Sequence, residues 1–302
     1  MAENELVRVG ADPEVFVKHL PSRTVLPVCG LIGGTKEEPL KFNGLLKRTA
    51  EEGDYAYQED GCAFEFNIPA TTSADKFAQN MQAAWISVKE LLGKLNLDPQ
   101  IRPSFSFKSA QLGDPRAMSI GCSPDKTAYG ENGPQTRHPL NIHEFGTQRF
   151  AGGHLHLGYN KAVPPHVMVR FMDVLIGLPS LKWDKQGARR QYYGLPGLYR
   201  EKPYGVEYRS LSNFWLKGCG GRGTFLVYLS GALFDLGITA QNRPEVLANA
   251  YKMIPWDDVK DAITTENVNL ASEIFQYSTS VAKLPSRYAH DLWRISPEGK
   301  VA

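Results

Sequence analysis

Alternating hydrophobic and polar positions are clearest over residues 62–68 of the chain. Phe64, Phe66 and Ile68 point to one side of an extended backbone, whereas Glu65 points to the other, because successive side chains of a strand alternate between its faces. This period of two predicts a strand with one buried face and one polar face.

Apolar residues at helical spacing follow soon after this strand. They recur every three or four positions at Phe77, Met81, Trp85, Val88, Leu92 and Leu95. The spacing predicts a long amphipathic helix that covers one face of a sheet. Further helices are predicted over residues 164–179, 223–236, 244–252 and 256–275.

Other strand candidates alternate irregularly with these helices. They cover residues 7–17, with a break at Pro13, and residues 24–28, 101–107, 152–159 and 205–211. The order lacks a regular strand–helix–strand rhythm. It therefore predicts an α+β fold with a largely antiparallel sheet and helices on one face, and not a doubly wound parallel sheet.

The chain contains no internal repeat and no biased linker, so we predict a single domain over residues 1–302. Residues 108–150 are rich in Gly, Pro, Ser, Asn and Asp without periodicity. This composition predicts an inserted loop, which is either a lid over a substrate or a surface excursion. The C-terminal part is predicted to be helical from about residue 223.

Composition and charge narrow the classes of partner. Of the 302 residues, 42% are hydrophobic and 22% are charged, which is typical of a folded globular protein. The net charge of +2 argues against nucleic acid as a partner. The longest apolar stretch, residues 225–234, is too short to span a membrane. The first residues, MAENELVRVG, lack the basic and apolar regions of a secretory signal, so none is predicted. The four cysteines are scattered, and we therefore expect a cytoplasmic protein.

Two pairs of polar residues stand out in the strand candidates near the middle of the chain. His154 and His156 are two residues apart, so both imidazoles point to the same face of their strand. Glu207 and Arg209 share a face in the same way, and they combine a possible metal ligand with a phosphate-binding guanidinium. The alternatives are two locally hydrogen-bonded histidines and an ordinary cross-strand salt bridge.

Carboxylates and imidazoles lie on the polar faces of four strand candidates, opposite largely apolar faces. If the apolar faces share one core, Asp12, Glu14, Glu65, His154 and Glu207 converge on the other side of the sheet. Their mutual repulsion must then be neutralised. Oxygen-rich ligands with an imidazole suit Mg²⁺ or Mn²⁺, and Mg²⁺ commonly bridges to substrate phosphates.

A local excess of positive charge lies between the last two of these strands. Residues 182–209 contain seven basic and three acidic side chains. Arg189, Arg190 and Arg200 alternate with tyrosines there and could clamp a triphosphate or a substrate carboxylate. A solvated basic loop with aromatic residues packed beneath it is the alternative.

Four segments resemble, in the same order, motifs of the carboxylate–amine ligases related to glutamate-cysteine ligase and glutamine synthetase, and above all a tailed-phage branch of them. The segments are GADPEVF, DGCAFEFNIPA, GGHLHLGY and RRQYYGLPGLYREKPYGVEYRSLSN, which span residues 10–213. The resemblance implies a curved antiparallel catalytic sheet, ATP and Mg²⁺ as cofactors, and amide formation through an acyl phosphate.

The resemblance also implies roles for individual residues. Asp12, His154 and Glu207 look like ligands of an ion near the transferred phosphate, and Glu14 and Glu65 look like ligands of a second ion. Arg209 matches the arginine that stabilises the phosphate. Further catalytic or cofactor contacts are implied for Arg189, Arg190, Arg200 and His156.

The leading hypothesis is therefore an ATP- and Mg²⁺-dependent ligase that joins a carboxylate to an amine in the cytoplasm, or in the host cytoplasm if a phage encodes it. Its substrates would be an amino acid, a peptide or protein terminus, a protein side chain or a polyamine. A zinc-dependent hydrolase that uses His154, His156 and Glu207 is an alternative. A non-catalytic phage interaction protein built on a ligase fold is another.

Overall fold

A computed structural model of the protein describes residues 6–42, 55–119, 125–220 and 224–285. The other residues of the predicted domain lie outside the described residues. They include residues 120–124 of the predicted loop and residue 223, where a helix is predicted to begin. The strands are β1 (Arg8–His19), β2 (Thr24–Leu26), β3 (Leu40–Lys41), β4 (Ala56–Asp60), β5 (Ala63–Thr71), β6 (Leu97–Gln100), β7 (Ser104–Ser106), β8 (Lys126–Gly130), β9 (Gly133–Thr136), β10 (Gln148–Phe150), β11 (Gly153–Gly158), β12 (Leu198–Lys202) and β13 (Gly205–Tyr208).

The helices follow the strands mainly in the second half of the chain. They are α1 (Ala74–Lys94), α2 (Pro165–Met172), α3 (Leu178–Ser180), α4 (Arg189–Tyr192), α5 (Thr224–Asn242), α6 (Pro244–Met253), α7 (Trp256–Thr264) and α8 (Val268–Ser280). A π-helical turn, Asp173–Gly177, joins α2 to α3.

Within the described residues, one antiparallel sheet contains eleven of the strands. Its main path runs in the order β3-β4-β5-β1-β11-β13-β12-β8-β9, while β2 and β6 both pair with β1. The order places β1, β11 and β13 side by side at its centre. The predicted α+β fold with an antiparallel sheet and helices is confirmed.

The apolar face of the sheet and the helices share a single core. Val9, Phe66, Leu157 and Val206 belong to it, and none of them is more than 1% exposed. Their strand neighbours point to the opposite face, as period-two alternation requires. Helix α1 packs on β5, while α5 contacts β1 and β11. The predicted strand over residues 62–68 corresponds to β5, with Phe64, Phe66 and Ile68 buried.

Pro13 does not break β1, so the prediction of an interruption there is wrong. The Cα of Pro13 pairs with that of Gly153, and the N–H of Glu14 donates to the carbonyl of Gly152 at 2.9 Å. Proline removes only its own N–H from the hydrogen-bond ladder. Because β1 has neighbours on both sides, the loss of one donor does not end the strand.

Residues 108–150 contain more regular structure than the predicted loop. Strands β8 and β9 extend the main sheet beyond β12, and β10 forms a second small sheet with β7. Short turns of 3₁₀-helix cover Ser109–Leu112, Pro115–Met118 and Ile142–Phe145. These strands are too short and too rich in Gly and Pro to show alternation, so their pairing depends on the neighbouring strands.

The helices predicted in the second half of the chain are present, but their boundaries differ from the prediction. The helix predicted over residues 223–236 continues to Asn242. The helix expected to end at Pro179 continues through the π-helical turn to Ser180. The helix expected over residues 256–275 is two helices, because Glu266 adopts a left-handed φ of 54°. The side chain of Asn267 then caps α8 by accepting a hydrogen bond from the N–H of Leu270 at 3.1 Å. No helix in the described part of the chain has the length and hydropathy needed to cross a membrane.

Candidate active site

The strand register aligns polar residues in a row across the sheet. Asp12 of β1 lies opposite His154 of β11, and Glu14 lies opposite Glu65 of β5. Further along the row, Glu207 of β13 lies between His156 and Arg200. Because opposite residues in an antiparallel pair share a face, the register collects these side chains on the polar side.

The first cluster consists of Asp12, His154 and Glu207, whose possible ligand atoms all lie within 4.8 Å of one another. The Nδ1 atom of His154 is 3.7 Å from Asp12 Oδ1 and 4.0 Å from Glu207 Oε1. His154 and Glu207 are buried, and Asp12 is partly exposed. The structure thus brings together three residues that the sequence assigns to one ion.

The second cluster consists of Glu14, Asp60 and Glu65, also within 4.8 Å of one another. Glu14 and Glu65 are the two residues that the sequence assigns to a second ion, whereas Asp60 is not predicted. Asp60 ends β4, next to the turn into β5, so the hairpin brings it to the site. The sequence offers two signals for it: its position directly before the alternating strand, and its place as the first residue of the segment DGCAFEFNIPA.

Burial and mutual repulsion raise the pKa values of this second cluster. Burial raises the pKa of Glu14 to about 7, and the charge of Asp60 adds to the effect. Burial also raises the pKa of Glu65 well above its ordinary value, with further increases from Asp12 and Asp60. A cation between the three carboxylates would remove this repulsion, so the residues present fit a divalent ion with oxygen ligands.

The pKa values of the two histidines are shifted in opposite directions. Burial, aided by the charge of Arg209, holds the pKa of His154 well below its ordinary value, so its imidazole is neutral and able to ligate a metal. Burial would also lower the pKa of His156, but the Asp12 carboxylate outweighs it, and the net pKa is raised. His156 contacts Asp12 Oδ1 through Nε2 at 3.0 Å and the hydroxyl of Tyr204 through Nδ1 at 2.5 Å.

Arg200 and Arg209 flank the carboxylate of Glu207. Arg209 Nη1 donates to Glu207 Oε1, and Arg200 Nη1 lies 3.4 Å from the same oxygen. Lys202 Nζ lies 2.7 Å from the other oxygen. Burial would raise the pKa of Glu207, but Arg209 and its neighbours hold it far below the ordinary range. This carboxylate is therefore ionised at neutral pH.

Arg189 lines the same cleft as Arg209, but its donors hold the main chain. Its Nη1 and Nη2 atoms donate to the carbonyls of Ser210 and Arg209, each at 3.1 Å. Nη1 also donates to Gln186 Oε1 at 2.6 Å. Arg189 is 1% exposed, so its observed role is to support the chain just beyond β13.

Arg190 contacts other protein groups, and its predicted cofactor contact stays a prediction. Its Nη1 donates to the carbonyl of Gly194 at 2.5 Å, and its Nε lies 3.3 Å from Glu266 Oε1. It does not belong to the described residues that line the two clefts of the site. Neighbouring positions in α4 point in different directions, so Arg189 reaches the site while Arg190 pairs with the C-terminal helices.

Two clefts open beside the row of polar residues. The first, which we call the Glu14 cleft, has a volume of about 80 Å³ and is lined by Glu14, Asp60, His154, Arg189 and Arg209, with Phe145, Phe150 and Tyr193 on its wall. The second, the His156 cleft, has a volume of about 760 Å³ and is lined by Arg8, Asp12, Asn67, His156, Tyr159 and Tyr204. Each cluster has members on the wall of the Glu14 cleft, and Asp12 of the first cluster also lines the His156 cleft.

Gly152 leaves the space that His154 occupies. A Cβ atom on Gly152 would overlap the imidazole, approaching its Cδ2 to 2.8 Å. We expect Gly152→Ala to displace His154 and to lower enzymatic turnover by about a hundredfold, the cost of a misplacement near 1 Å. Gly93→Ala is the matched control, because a Cβ there has no neighbour within 4 Å. Equal turnover in both variants, in the assay given below with the proposed function, would contradict the placement of His154.

The fold and the site define a class of protein: an antiparallel sheet whose polar face carries two carboxylate clusters and adjacent arginines. Residues 145–227 match the family described as "Phage phiEco32-like COOH.NH2 ligase-type 2". The match contains the third and fourth segments of the resemblance and so confirms it, and it supports a carbon–nitrogen ligase that acts on a carboxylate and an amine. Asp12, Glu14, Asp60 and Glu65 lie outside the matched residues.

Two solved structures are among those similar to this chain. One is described as "Crystal structure of novel glutamine synthase homolog" and is 13% identical in sequence. The aligned region covers 95% of this chain and 71% of that protein, with a TM-score of 0.36. Another, described as "Apo GmaS without ligand", is 11% identical, covers 92% and 66%, and gives a TM-score of 0.38. No curated protein matches the sequence.

Proposed function

We propose that the protein is an ATP-dependent carboxylate–amine ligase that forms an amide through an acyl phosphate. The observation that carries this proposal is the pair of carboxylate clusters, Asp12–His154–Glu207 and Glu14–Asp60–Glu65, with Arg200 and Arg209 beside them. Such a set of anionic ligands and cations suits Mg²⁺ together with the phosphates of a nucleotide.

Each group has a proposed task in this reaction. Asp12, His154 and Glu207 would hold one Mg²⁺, and Glu14, Asp60 and Glu65 would hold another. When bound, these ions would neutralise charge on the phosphates. Arg209 and Arg200 would donate hydrogen bonds to oxygens of the transferred phosphate and stabilise its charge. His156 would contact the nucleotide from the wall of the His156 cleft.

The reaction has two balanced steps. An oxygen of the substrate carboxylate attacks the γ-phosphorus of ATP, and the bond to the β-phosphate oxygen breaks, which releases ADP. The amine nitrogen then attacks the acyl carbon, the C–O bond to phosphate breaks, and inorganic phosphate and a proton leave. The size of the His156 cleft, about 760 Å³, is within the range of nucleotide-sized sites.

Substrate-dependent phosphate release tests this proposal. Purified protein is incubated with ATP and Mg²⁺ and a panel of acids combined with amines, including amino acids, peptides and polyamines. We expect stoichiometric ADP, phosphate and a new amide for at least one combination. If calorimetry shows no nucleotide binding and no combination releases phosphate, the proposal is wrong. Tightly bound stoichiometric zinc, with hydrolysis of an amide or ester, would favour the hydrolase instead.

A further inference from the structure

Asp125 brings an unassigned carboxylate to the site from the segment that the sequence predicts as a loop. It lies immediately before β8, which pairs with β12 through Lys126 and Tyr199. Arg200, the next residue of β12, is in contact with Asp125. Asp125 is only 7% exposed, so its carboxylate is largely removed from solvent.

Asp125 forms ion pairs with both arginines of the site. Its Oδ1 atom is 3.0 Å from Arg209 Nε and 3.4 Å from Arg200 Nε. Glu207 Oε1 contacts the Nη1 atoms of the same two arginines. The two guanidinium groups thus lie between two buried carboxylates, and each carboxylate contacts both guanidinium groups.

The two carboxylates differ in their other neighbours. Glu207 also belongs to the cluster with Asp12 and His154, where it is a proposed metal ligand. Asp125 does not belong to either of the clusters found among the described residues. A cation beside Glu207 would weaken the attraction between Glu207 and the two arginines, because the Glu207 carboxylate faces the first cluster as well as the arginines. Asp125 would then remain as the carboxylate that keeps Arg200 and Arg209 in place.

We propose that Asp125 is a positioning residue that orients Arg200 and Arg209 toward the transferred phosphate. The proposal rests on the proposed ligase function, and it gives strand β8 a role in the site. Two guanidinium groups this close repel each other, and the Asp125 carboxylate attracts both through its ion pairs at 3.0 and 3.4 Å. Groups held in this way keep the geometry that phosphoryl transfer requires.

The proposal predicts a separation between binding and turnover. Asp125→Asn removes a negative charge next to the nucleotide phosphates, so ground-state attraction to a triphosphate is not weakened. It also releases the two guanidinium groups from a fixed orientation, so the transition state loses stabilisation. A residue with a merely structural role would instead weaken the binding of all nucleotides and lower the melting temperature together.

The experiment compares wild type, Asp125→Asn and Glu201→Gln. Glu201 neighbours Arg200 in β12 and pairs with Lys126 at 2.8 Å, but both of these side chains are exposed, so Glu201→Gln is a matched control. Turnover is measured as phosphate release from ATP in the presence of Mg²⁺. The substrate is a combination that is active in the panel assay, or, without substrate, the slow hydrolysis of ATP is followed. Affinities for ADP and for a non-hydrolysable ATP analogue are measured by calorimetry with Mg²⁺.

We expect Asp125→Asn to lose at least about tenfold in kcat, with affinity for the ATP analogue equal to or tighter than in wild type and affinity for ADP unchanged. Glu201→Gln should match wild type. A kcat of Asp125→Asn within twofold of wild type, or a parallel loss of affinity for both nucleotides with a lower melting temperature, would overturn the proposal.

A second variant covers the case in which Asp125→Asn does not fold. Asp125→Glu keeps the charge but moves it by one methylene group, and the same split between kcat and affinity is expected, while unchanged kcat would count against positioning. If wild type itself binds neither nucleotide, the proposed ligase function fails, and the role of Asp125 fails with it. If wild type binds both nucleotides and turns over ATP, the results for the variants test the role of Asp125 alone.

Discussion

Replacement of Glu207 by glutamine is expected to abolish most of the enzymatic turnover, with a loss of roughly a thousandfold in kcat. Glutamine keeps the size of the side chain but removes the charge that faces Arg209, Lys202 and the first carboxylate cluster. The variant therefore lacks one metal ligand, and Arg209 loses an ionic partner. Removing one partner of a buried ion pair leaves the other without compensation.

Three measurements distinguish a lost site from a lost fold. Phosphate release from ATP in the presence of substrate gives turnover, calorimetry with Mg²⁺ or Mn²⁺ gives metal stoichiometry, and the melting temperature reports folding. We expect Glu207→Gln to bind one metal ion fewer than wild type. Glu201→Gln, with its exposed side chain in the adjacent strand, should behave as wild type. Full turnover by a folded Glu207→Gln variant would exclude Glu207 from the reaction.

Replacement of Asp173 by asparagine is expected to change how stability depends on pH. Asp173 is fully buried on the apolar side of the sheet, where the hydroxyl of Tyr208 donates to its Oδ1 at 2.6 Å. Burial raises the pKa of this carboxyl to about 7, although hydrogen bonds from Tyr208 and Tyr129 act in the opposite direction. The unfolded chain has an ordinary aspartate pKa near 3.9.

The sign of the effect follows from proton binding. Between about pH 4 and pH 7 the folded protein keeps the Asp173 proton that the unfolded chain has lost, so stability falls as pH rises through this window. Above pH 7 both states are ionised, and the full penalty, on the order of 4 kcal/mol, is present. Asparagine never ionises and keeps the acceptor for Tyr208, so the variant should lack this penalty.

Urea unfolding at pH 5 and at pH 8 measures the effect directly. The free energy of unfolding of Asp173→Asn, relative to that of wild type, should be larger at pH 8 than at pH 5 by about 2–3 kcal/mol, because the variant lacks a penalty that grows over this range. Asp261→Asn makes the same chemical change at an exposed position of α7 and should show almost no difference between the two pH values. An equal shift in both variants would show that Asp173 is not the group responsible.

The sequence predicts much of the polar row because alternation is a local property. Glu65, His154, His156, Glu207 and Arg209 each lie in a segment whose period of two assigns them to a polar face, and the strands found there keep that assignment. The opposite faces carry Phe64, Leu157 and Val206, which are buried in the core. Whether these residues bind metal and phosphate stays a prediction, although the structure brings them together.

Sequence analysis did not predict three residues of the site, which are Asp60, Asp125 and Tyr204. None of them belongs to an alternating pattern. The hairpin of β4 and β5 brings Asp60 to the site, the pairing of β8 with β12 brings Asp125, and the turn between β12 and β13 brings Tyr204. The predicted cofactor contact of Arg190 stays a prediction, and in the structure its guanidinium pairs with Glu266. A composition rich in arginine indicates an anion nearby, but it does not say which guanidinium groups are already engaged.

The sequence by itself determined the chemistry available to this protein: which side chains share a strand face, which stretches are helical, and which family four of its segments resemble. These follow from backbone geometry and from residues adjacent in the chain. Only the tertiary structure decided that Glu14 meets Asp60, that Asp125 lies between Arg200 and Arg209, and that Arg189 supports the main chain beyond β13. Such contacts depend on the pairing and register of strands far apart in sequence, and those are fixed by the packing of the whole core.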